Sequence, residues 1–334
     1  MKERRALAER IRRDESIPAP LAAALTAASL VYRLGMRYRL TRPSTRVDAH
    51  VVSFGNLTAG GTGKTPAVIE RAREELAKGR CTVVLTRGYR AQSSGDACSS
   101  EIAPRDWYRR LGDEPALMLQ KVPGLLVLKG RNRVALALRA VETFGAEVII
   151  LDDGFQYTPL HRDENVLVID ATNPFGNGNI IPRGILREPV AAMSRATAIV
   201  LTRCDQSASL DSVMAVVRRL RPDVPIRLAC HAPVALRRLS DGALFPPGKL
   251  NGQPVVAACG IGNPEAFVRT LESLGALVTR SHFVSDHANW DEFALRGSPM
   301  IVTTEKDAIR IEMPSPNVYA LDIALQGFPV TPAR

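Results

Sequence analysis

VVSFGNLTAGGTGKT, residues 51–65, decides the fold. Residues 51–54, apolar but for Ser53, read as a buried strand. Gly55, Gly60, Gly61 and Gly63 then make a glycine-rich turn, and Lys64, Thr65 and Pro66 open a helical pattern. Strand, loop and helix in this order are the setting a phosphate-binding loop requires. Glycines let backbone N–H groups curl round phosphate oxygens without Cβ clashes, and the helix points its positive end at the anion. Lys64 is expected to reach the β- and γ-phosphates of a nucleotide, with the Thr65 hydroxyl on Mg2+. Thr58, Ala59, Gly60, Gly61, Thr62 and Gly63 supply the cradle. The strict pattern G-x-x-x-x-G-K-[ST] wants glycine at position 58, where this chain has Thr58. The plainer alternative is an ordinary glycine-rich β–α turn.

Outward from the loop, strands alternate with helices. Residues 66–78 read as a helix with Ile69, Ala72 and Leu76 on one face and Gly79 as its stop. Residues 82–85, 125–128, 148–151, 166–169 and 199–201 read as strands, and 133–144 as a helix closed by Gly145. The alternation predicts an α/β fold: a P-loop NTPase-like parallel sheet with helices on both faces. A proline-rich stretch, 231–254, reads as a linker. Beyond it, strands at 255–258 and near 277–284, 300–303 and 318–321, with a helix opened by Asn263-Pro264-Glu265, form a second, smaller α/β domain. The expected division is 1–44 as an N-terminal membrane-associating helix, 45–230 as the core, 231–254 as the linker and 255–334 as the smaller domain.

The 334 residues are enough for a sizeable core, and 46% hydrophobic with 23% charged residues marks a globular chain. Lys and Arg number 44 against 34 Asp and Glu, a net charge of +10 that favours anionic partners: nucleotides, phosphorylated substrates, nucleic acid or an anionic membrane. The five cysteines are scattered without a C-x-x-C pair, which argues for free thiols rather than a disulfide framework or zinc site. Near the N-terminus, residues 18–32 are uncharged and rich in Ala and Leu, and Arg33, Arg37, Arg39 and Arg42 follow. The apolar part is short of the roughly twenty residues that span a bilayer. It fits a helix lying in the headgroup layer, or a helix packed on the protein's own core.

Several residues could carry chemistry. Asp152 ends an apolar strand downstream of the phosphate loop, where a carboxylate holds Mg2+ directly or through water; a strand-end turn cap is the alternative. Asp153, next to it, points elsewhere and could face the substrate. Asp113 and Glu114 open a helix, where acidic residues also complement the dipole. Asp286-His287 follows a strand of the second domain, as does the segment 303–307, whose Lys306, with Arg310, could meet a nucleotide. Arg105, Arg109 and Arg110 flank Trp107 and Tyr108, too short a patch for a nucleic-acid site. Arg131, Arg133, Arg183 and Arg187 could bind a phosphorylated substrate.

Taken together, the motifs resemble the tetraacyldisaccharide 4′-kinase (lipid A 4′-kinase) family over most of the chain. The resemblance rests on residues 55–66, in which Thr58 is itself part of the pattern. It also rests on Arg87-Gly88-Tyr89, Gly112-Asp113-Glu114-Pro115, Asp152-Asp153-Gly154 with Gln156, Phe175-Gly176-Asn177-Gly178, Leu186-Arg187-Glu188, Asp286-His287 and Thr304-Glu305-Lys306-Asp307-Ala308. It implies a kinase on the cytoplasmic face of a Gram-negative-type inner membrane. Such an enzyme moves the γ-phosphate of ATP to the 4′-hydroxyl of a tetraacyldisaccharide 1-phosphate. It also implies Asp113 as general base with His287 as its partner, Lys64 in catalysis, and Asp152 with Thr65 on Mg2+. Arg133, Asp153 and Arg187 become candidates for the headgroup, and no nucleic-acid partner is expected. Tyr157, where the family usually has His, Ala288, where a second His often follows, and Arg183, in place of a small residue, depart from the pattern.

Three rival readings stay open on sequence. A P-loop GTPase or metallochaperone needs a base-reading motif, which Thr202-Arg203-Cys204-Asp205 partly imitates. A nucleic-acid-stimulated ATPase is suggested by charge alone. A nucleotide-sensing membrane adaptor would bind ATP and make no phosphorylated lipid.

Overall fold

The computed structural model describes residues 17–88, 91–261, 264–284, 298–311 and 314–328. The first eight strands are β1 (His50–Gly55), β2 (Thr82–Thr86), β3 (Ala97–Cys98), β4 (Leu126–Lys129), β5 (Val148–Asp152), β6 (Glu164–Asp170), β7 (Ala198–Thr202) and β8 (Ile226–Arg238). Five more follow: β9 (Leu244–Phe245), β10 (Pro254–Cys259), β11 (Leu277–Phe283), β12 (Ile301–Thr304) and β13 (Val318–Gly327). Among the described residues they join one sheet in the order β11-β10-β12-β13-β8-β7-β6-β1-β5-β2-β4-β3, with β9 against β8.

Seven of these strands, β4 to β8 by way of β2, β5, β1, β6 and β7, pair in parallel, as the alternating pattern predicts. Neighbouring residues on these strands pack on opposite faces. Val52, Val84 and Ile150 meet Val68, Ala72 and Met118 on one side. Val51, Val83 and Ile149 meet Leu136, Ala137 and Ala140 on the other. A strand buried on both faces has no room for alternation, so its sequence is continuously apolar. The covering helices are Lys64–Ala77 and Asp113–Lys121 on the first face and Arg133–Phe144 on the second. Farther along the second kind of face, Leu167, Ile169, Ile199 and Leu201 pack on Val213 and Val217 of the helix Leu210–Leu220.

The second lobe repeats the scheme. β11, β10, β12 and β13 pair in parallel with one another, and Val255, Ala257 and Cys259 bury against Phe267 and Leu271 of the helix Pro264–Ser273. The stretch 231–254 is not the extended linker its prolines imply. Its first part is strand: β8 pairs in parallel with β7 through Leu228, then antiparallel with β13 from Ala229 to Arg238. Pro233 lies where the β8–β13 register shifts, between Asp322 and Ile323, so its missing N–H falls at an irregularity. One strand therefore belongs to both lobes.

The apolar N-terminal segment forms a longer helix than its composition implies, Ala19–Leu40, and it is long and apolar enough to cross a membrane by length and composition. Ser29 and Met36 are its buried positions, and the Ser29 hydroxyl donates to the Ile180 carbonyl at 2.8 Å. Leu30, Val31, Leu34 and Tyr38 are exposed, so the helix is not a core helix. All five cysteines are free thiols.

Candidate active site at the phosphate loop

Phe54 of β1 stands level with Asp152 of β5, so the two strands deliver the loop and the paired carboxylates side by side. The chain leaves β1 at Gly55, where a Cβ would lie 2.5 Å from the Phe155 Cβ and 2.6 Å from its backbone nitrogen. The front of the loop is held both from within and from outside. The Asn56 side-chain amide donates to the Thr58 carbonyl at 2.8 Å, the Ala59 amide to the Ile185 carbonyl at 2.7 Å, and the Arg187 amide to the Leu57 carbonyl at 2.6 Å. Thr58 bridges Leu186 as in a sheet. It needs no left-handed backbone, which is why a threonine replaces the glycine of the strict pattern. Gly60 (φ 132°) and Gly63 (φ 83°) do need one, and Gly63 is the N-cap of the helix Lys64–Ala77. Thr62 is buried at the back of the turn, Gly61 is exposed at its rim, and Thr65 lies in the first turn of that helix.

Lys64 reaches forward to Asp153, Nζ to Oδ1 at 3.3 Å. Arg187 donates to both oxygens of the same carboxylate at 3.0 and 2.8 Å. Burial alone would raise the Asp153 pKa, but Lys64 and Arg187 outweigh it and hold the group at about 2. Asp153 sits at φ 53°, an uncommon conformation for a residue with a Cβ. Asp152, beside it, is buried. Burial, then the charges of Glu114 and Asp153, push its pKa well above the carboxylate range, against Lys64 and Arg133. Thr86 Oγ1 donates to Asp152 Oδ2 at 3.4 Å, while Oδ1 is buried without a partner. A buried carboxylate with a free oxygen, beside a phosphate loop, fits a Mg2+ ligand, since that ion takes one or two carboxylates together with phosphate oxygens.

Arg133 begins the helix Arg133–Phe144 and is buried. Its Nη1 donates to the Asp153 carbonyl at 3.3 Å, its guanidinium lies 4.7 Å from the Tyr157 ring centroid, and its own amide donates to the Tyr157 hydroxyl at 3.1 Å. Burial pushes its pKa down, with the Asp153 and Asp152 charges opposing. Arg133 thus braces the turn that carries the carboxylates. Asp113 opens the helix Asp113–Lys121 and lies 3.8 Å from Arg310 Nε, across the seam between the lobes. Lys306 pairs with Glu114 at 3.6 Å on the same seam. Lys306 and Arg310, which by charge could meet a nucleotide, here meet the acidic start of this helix. His287, with Asp286 and Ala288, lies outside the described residues.

The family model described as tetraacyldisaccharide-1-P 4′-kinase matches residues 21–331. The chain belongs to the tetraacyldisaccharide-1-P 4′-kinase family. A relative named tetraacyldisaccharide 4′-kinase from Anaeromyxobacter dehalogenans (strain 2CP-C) is 40% identical over 312 residues, covering 88% of this chain and 79% of its own. Another of that name from Syntrophus aciditrophicus (strain SB) is 39% identical over 333 residues, covering 90% and 86%. The crystal structure of an LpxK from Aquifex aeolicus in complex with ATP superposes with a TM-score of 0.75 at 29% identity, over 92% of this chain and 95% of that one.

One of the departures from the family pattern gains a physical role: Tyr157 caps and stacks on Arg133. At position 183 the backbone amide donates to the Ser29 hydroxyl at 3.2 Å, docking the N-terminal helix, a bond that does not depend on the arginine side chain. Sequence reasoning missed the support behind Gln156: its amide donates to the Asn56 carbonyl and to Glu188 Oε1, both at 3.0 Å, and Glu188 is paired with Arg195. The quoted Leu-Arg-Glu segment was the signal for it. The GTPase-like imitation, Thr202-Arg203, instead braces the loop: Thr202 Oγ1 donates to the Thr62 carbonyl and Arg203 Nη1 to the Gly61 carbonyl. A groove beside the site is lined by Arg33 and Arg37 of the N-terminal helix together with Ile180 and Arg187.

Proposed function

We propose that this family member transfers the γ-phosphate of ATP to the 4′-hydroxyl of a tetraacyldisaccharide 1-phosphate, the bis-phosphorylation step of a lipid A precursor. The observation that carries the reading is the alignment of β1 with β5, which brings Lys64 and the two carboxylates Asp152 and Asp153 to one point at the end of the sheet. The loop amides and Lys64 hold the β- and γ-phosphates and stabilise charge on the group in flight. Asp152 and Thr65 would hold Mg2+, which would supply positive charge against the phosphates.

The acceptor hydroxyl must lose its proton as the new P–O bond forms. Asp113 is assigned as the base, with His287 as its partner from the second lobe. The position of Asp113 at the seam supports this, because the pairs with Arg310 and Lys306 already tie that helix start to the second lobe. The core (45–230) and the smaller domain (255–334) would close over the nucleotide and exclude water. Arg187 and Arg133 orient Asp153 near the headgroup, and Arg33 and Arg37 extend the cationic surface toward it.

The apolar face of the helix Ala19–Leu40, with Leu30, Val31, Leu34 and Tyr38 outward, supports a membrane-bound enzyme drawing its acceptor from the cytoplasmic leaflet of the inner membrane. In this reading the basic excess serves nucleotide, lipid phosphate and anionic lipid, not nucleic acid. The test is label transfer from γ-labelled ATP to detergent-dispersed tetraacyldisaccharide 1-phosphate, with Lys64→Ala and Asp113→Ala beside the wild type. Labelled lipid that depends on both residues is expected. Folded, ATP-binding protein that labels no lipid would sink the acceptor assignment, and near-normal transfer by Asp113→Ala would sink the base.

A further inference from the structure

The back half of the phosphate loop, residues 61–63, is supported from behind by three side chains in turn. Arg203 Nη1 donates to the Gly61 carbonyl at 3.3 Å and Thr202 Oγ1 to the Thr62 carbonyl at 2.8 Å. The third, His231, stands against Gly63, where an added Cβ would lie 2.6 Å from the imidazole Nε2 and 2.7 Å from Cε1. Carbonyls pulled outward leave the loop amides turned toward the anion side, which is how a backbone nest binds phosphate. His231 differs from the other two supports in one respect: its Nε2 is buried and has no hydrogen-bond partner. Buried polar atoms in folded proteins are rarely left so.

The ring is held neutral. Burial first, and the Arg203 charge second, push its pKa down to about 4. A neutral imidazole nitrogen can accept or donate one hydrogen bond, according to tautomer. Gly63 has two separate reasons to be glycine: its left-handed φ of 83°, and the imidazole behind it.

We propose that His231 is a positioning residue of the phosphate loop, exchanging a hydrogen bond at Nε2 with the loop backbone beside Gly63 as the loop tightens on nucleotide phosphates. The bond fixes the turn that aims the Lys64 and Thr65 amides. His231 touches neither reacting group and acts through the loop. It lies on β8, opposite Leu325 of β13, just past Ala229, where that strand's pairing passes to the second lobe. The placement of that strand is thereby transmitted to the nucleotide site. The inference rests on the loop being the nucleotide site.

The experiment uses full-length protein with 15N-labelled histidine, titrated with Mg-ATP and observed by NMR, beside His231→Gln and His231→Phe. The His231 resonance, assigned by its loss in the variants, is expected to shift on ATP addition. His231→Gln, which keeps a neutral donor and acceptor, is expected to bind ATP within about twofold of wild type. His231→Phe, which fills the ring volume without a nitrogen, is expected to lose about fivefold or more in ATP affinity, with lipid affinity unchanged. A resonance that does not move while ATP binds, or a Phe variant that binds ATP like wild type, overturns the inference. If His231→Phe does not fold, the wild-type resonance and the Gln variant still decide. A wild type that binds no ATP overturns the loop assignment, and the inference with it.

Discussion

Asp153→Asn isolates one charge at the centre of the site. Asparagine keeps the shape of the side chain and tolerates the left-handed φ of 53°, so the backbone has no reason to move. What changes is the grip on Lys64. Unit charges 3.3 Å apart, as for Lys64 Nζ and Asp153 Oδ1, attract by about 5 kcal/mol at an effective dielectric of about 20. The Asp153 side chain is 38% exposed, so solvent screening brings the net value nearer 1 kcal/mol. Nucleotide phosphates compete with Asp153 for the lysine and are repelled by the same carboxylate. Removing the charge should therefore tighten ATP binding, by about fivefold for about 1 kcal/mol. Titration calorimetry of ATP against wild type and variant measures it, and the gain should shrink as salt is raised. Lipid phosphorylation should fall in the same variant, because Arg187 loses the carboxylate that orients it. ATP affinity that falls, or that does not respond to the substitution at any salt, would refute the competition argument.

Tyr157→Phe should cost about 1 kcal/mol of stability through the lost hydrogen bond to the Arg133 amide, and Tyr157→Ala about 1 kcal/mol more through the lost ring–guanidinium contact; urea unfolding checks the order. Lys121→Met should destabilise by about 3–5 kcal/mol, because it leaves the buried Glu305 carboxylate without its counter-ion, and adding Glu305→Leu should recover much of the loss; thermal unfolding of the single and double variants measures it. Val31→Asp with Leu34→Asp, at positions 71% and 67% exposed, should weaken sedimentation with anionic vesicles and leave thermal unfolding unchanged. Native His231 takes up its proton only near pH 4, whereas the unfolded chain does so near 6.5. The unfolded state thus binds more protons between those values, and stability from this group rises with pH across that window. His231→Gln should flatten that part of the stability profile in denaturant titrations.

Much of this architecture was legible in the sequence because parallel strands buried on both faces cannot hide. Val83 to Leu85 and Val148 to Leu151 have no polar side to show, Val51 to Phe54 has only Ser53, and sheet burial explains all three, bounded as they are by glycines and by helical periodicity. Gly79 and Gly145, with φ of 77° and 63°, end their helices where the pattern stops. The paired carboxylates were legible by position, one strand-end after the loop. What the sequence hid was long-range. Prolines at 233, 246 and 247 read as a linker, yet Pro233 is accommodated at a register shift within β8, a fact that depends on β13 nearly ninety residues later. Lys306 and Arg310 carry charge that fits a nucleotide, and only the packed lobes show that Glu114 and Asp113 take it. His231 has no motif around it at all; its meaning lies in the distance to Gly63.

The helix Asp113–Lys121 gathers these long-range contacts into one element. It receives Arg310 at Asp113, Lys306 at Glu114 and Glu305 at Lys121, and all three partners come from the short segment after β12. That segment is fixed to its own lobe from inside: Thr304 caps Asp307, Asp307 accepts from the Gly260 amide at 3.0 Å, and Glu305 accepts from the Ile323 amide at 3.0 Å. The acidic helix start near the phosphate loop is therefore set by where the second lobe sits, and the loop is braced by His231 on the strand that lobe shares. Two independent connections, one through ion pairs on a helix and one through β8, run from the second lobe to opposite sides of the same site. A domain placed this way is more than a cover over the nucleotide: in the proposed kinase it aligns the base with the phosphoryl group. That gives a physical reason why the family pattern extends across the second lobe instead of ending with the loop and its carboxylates.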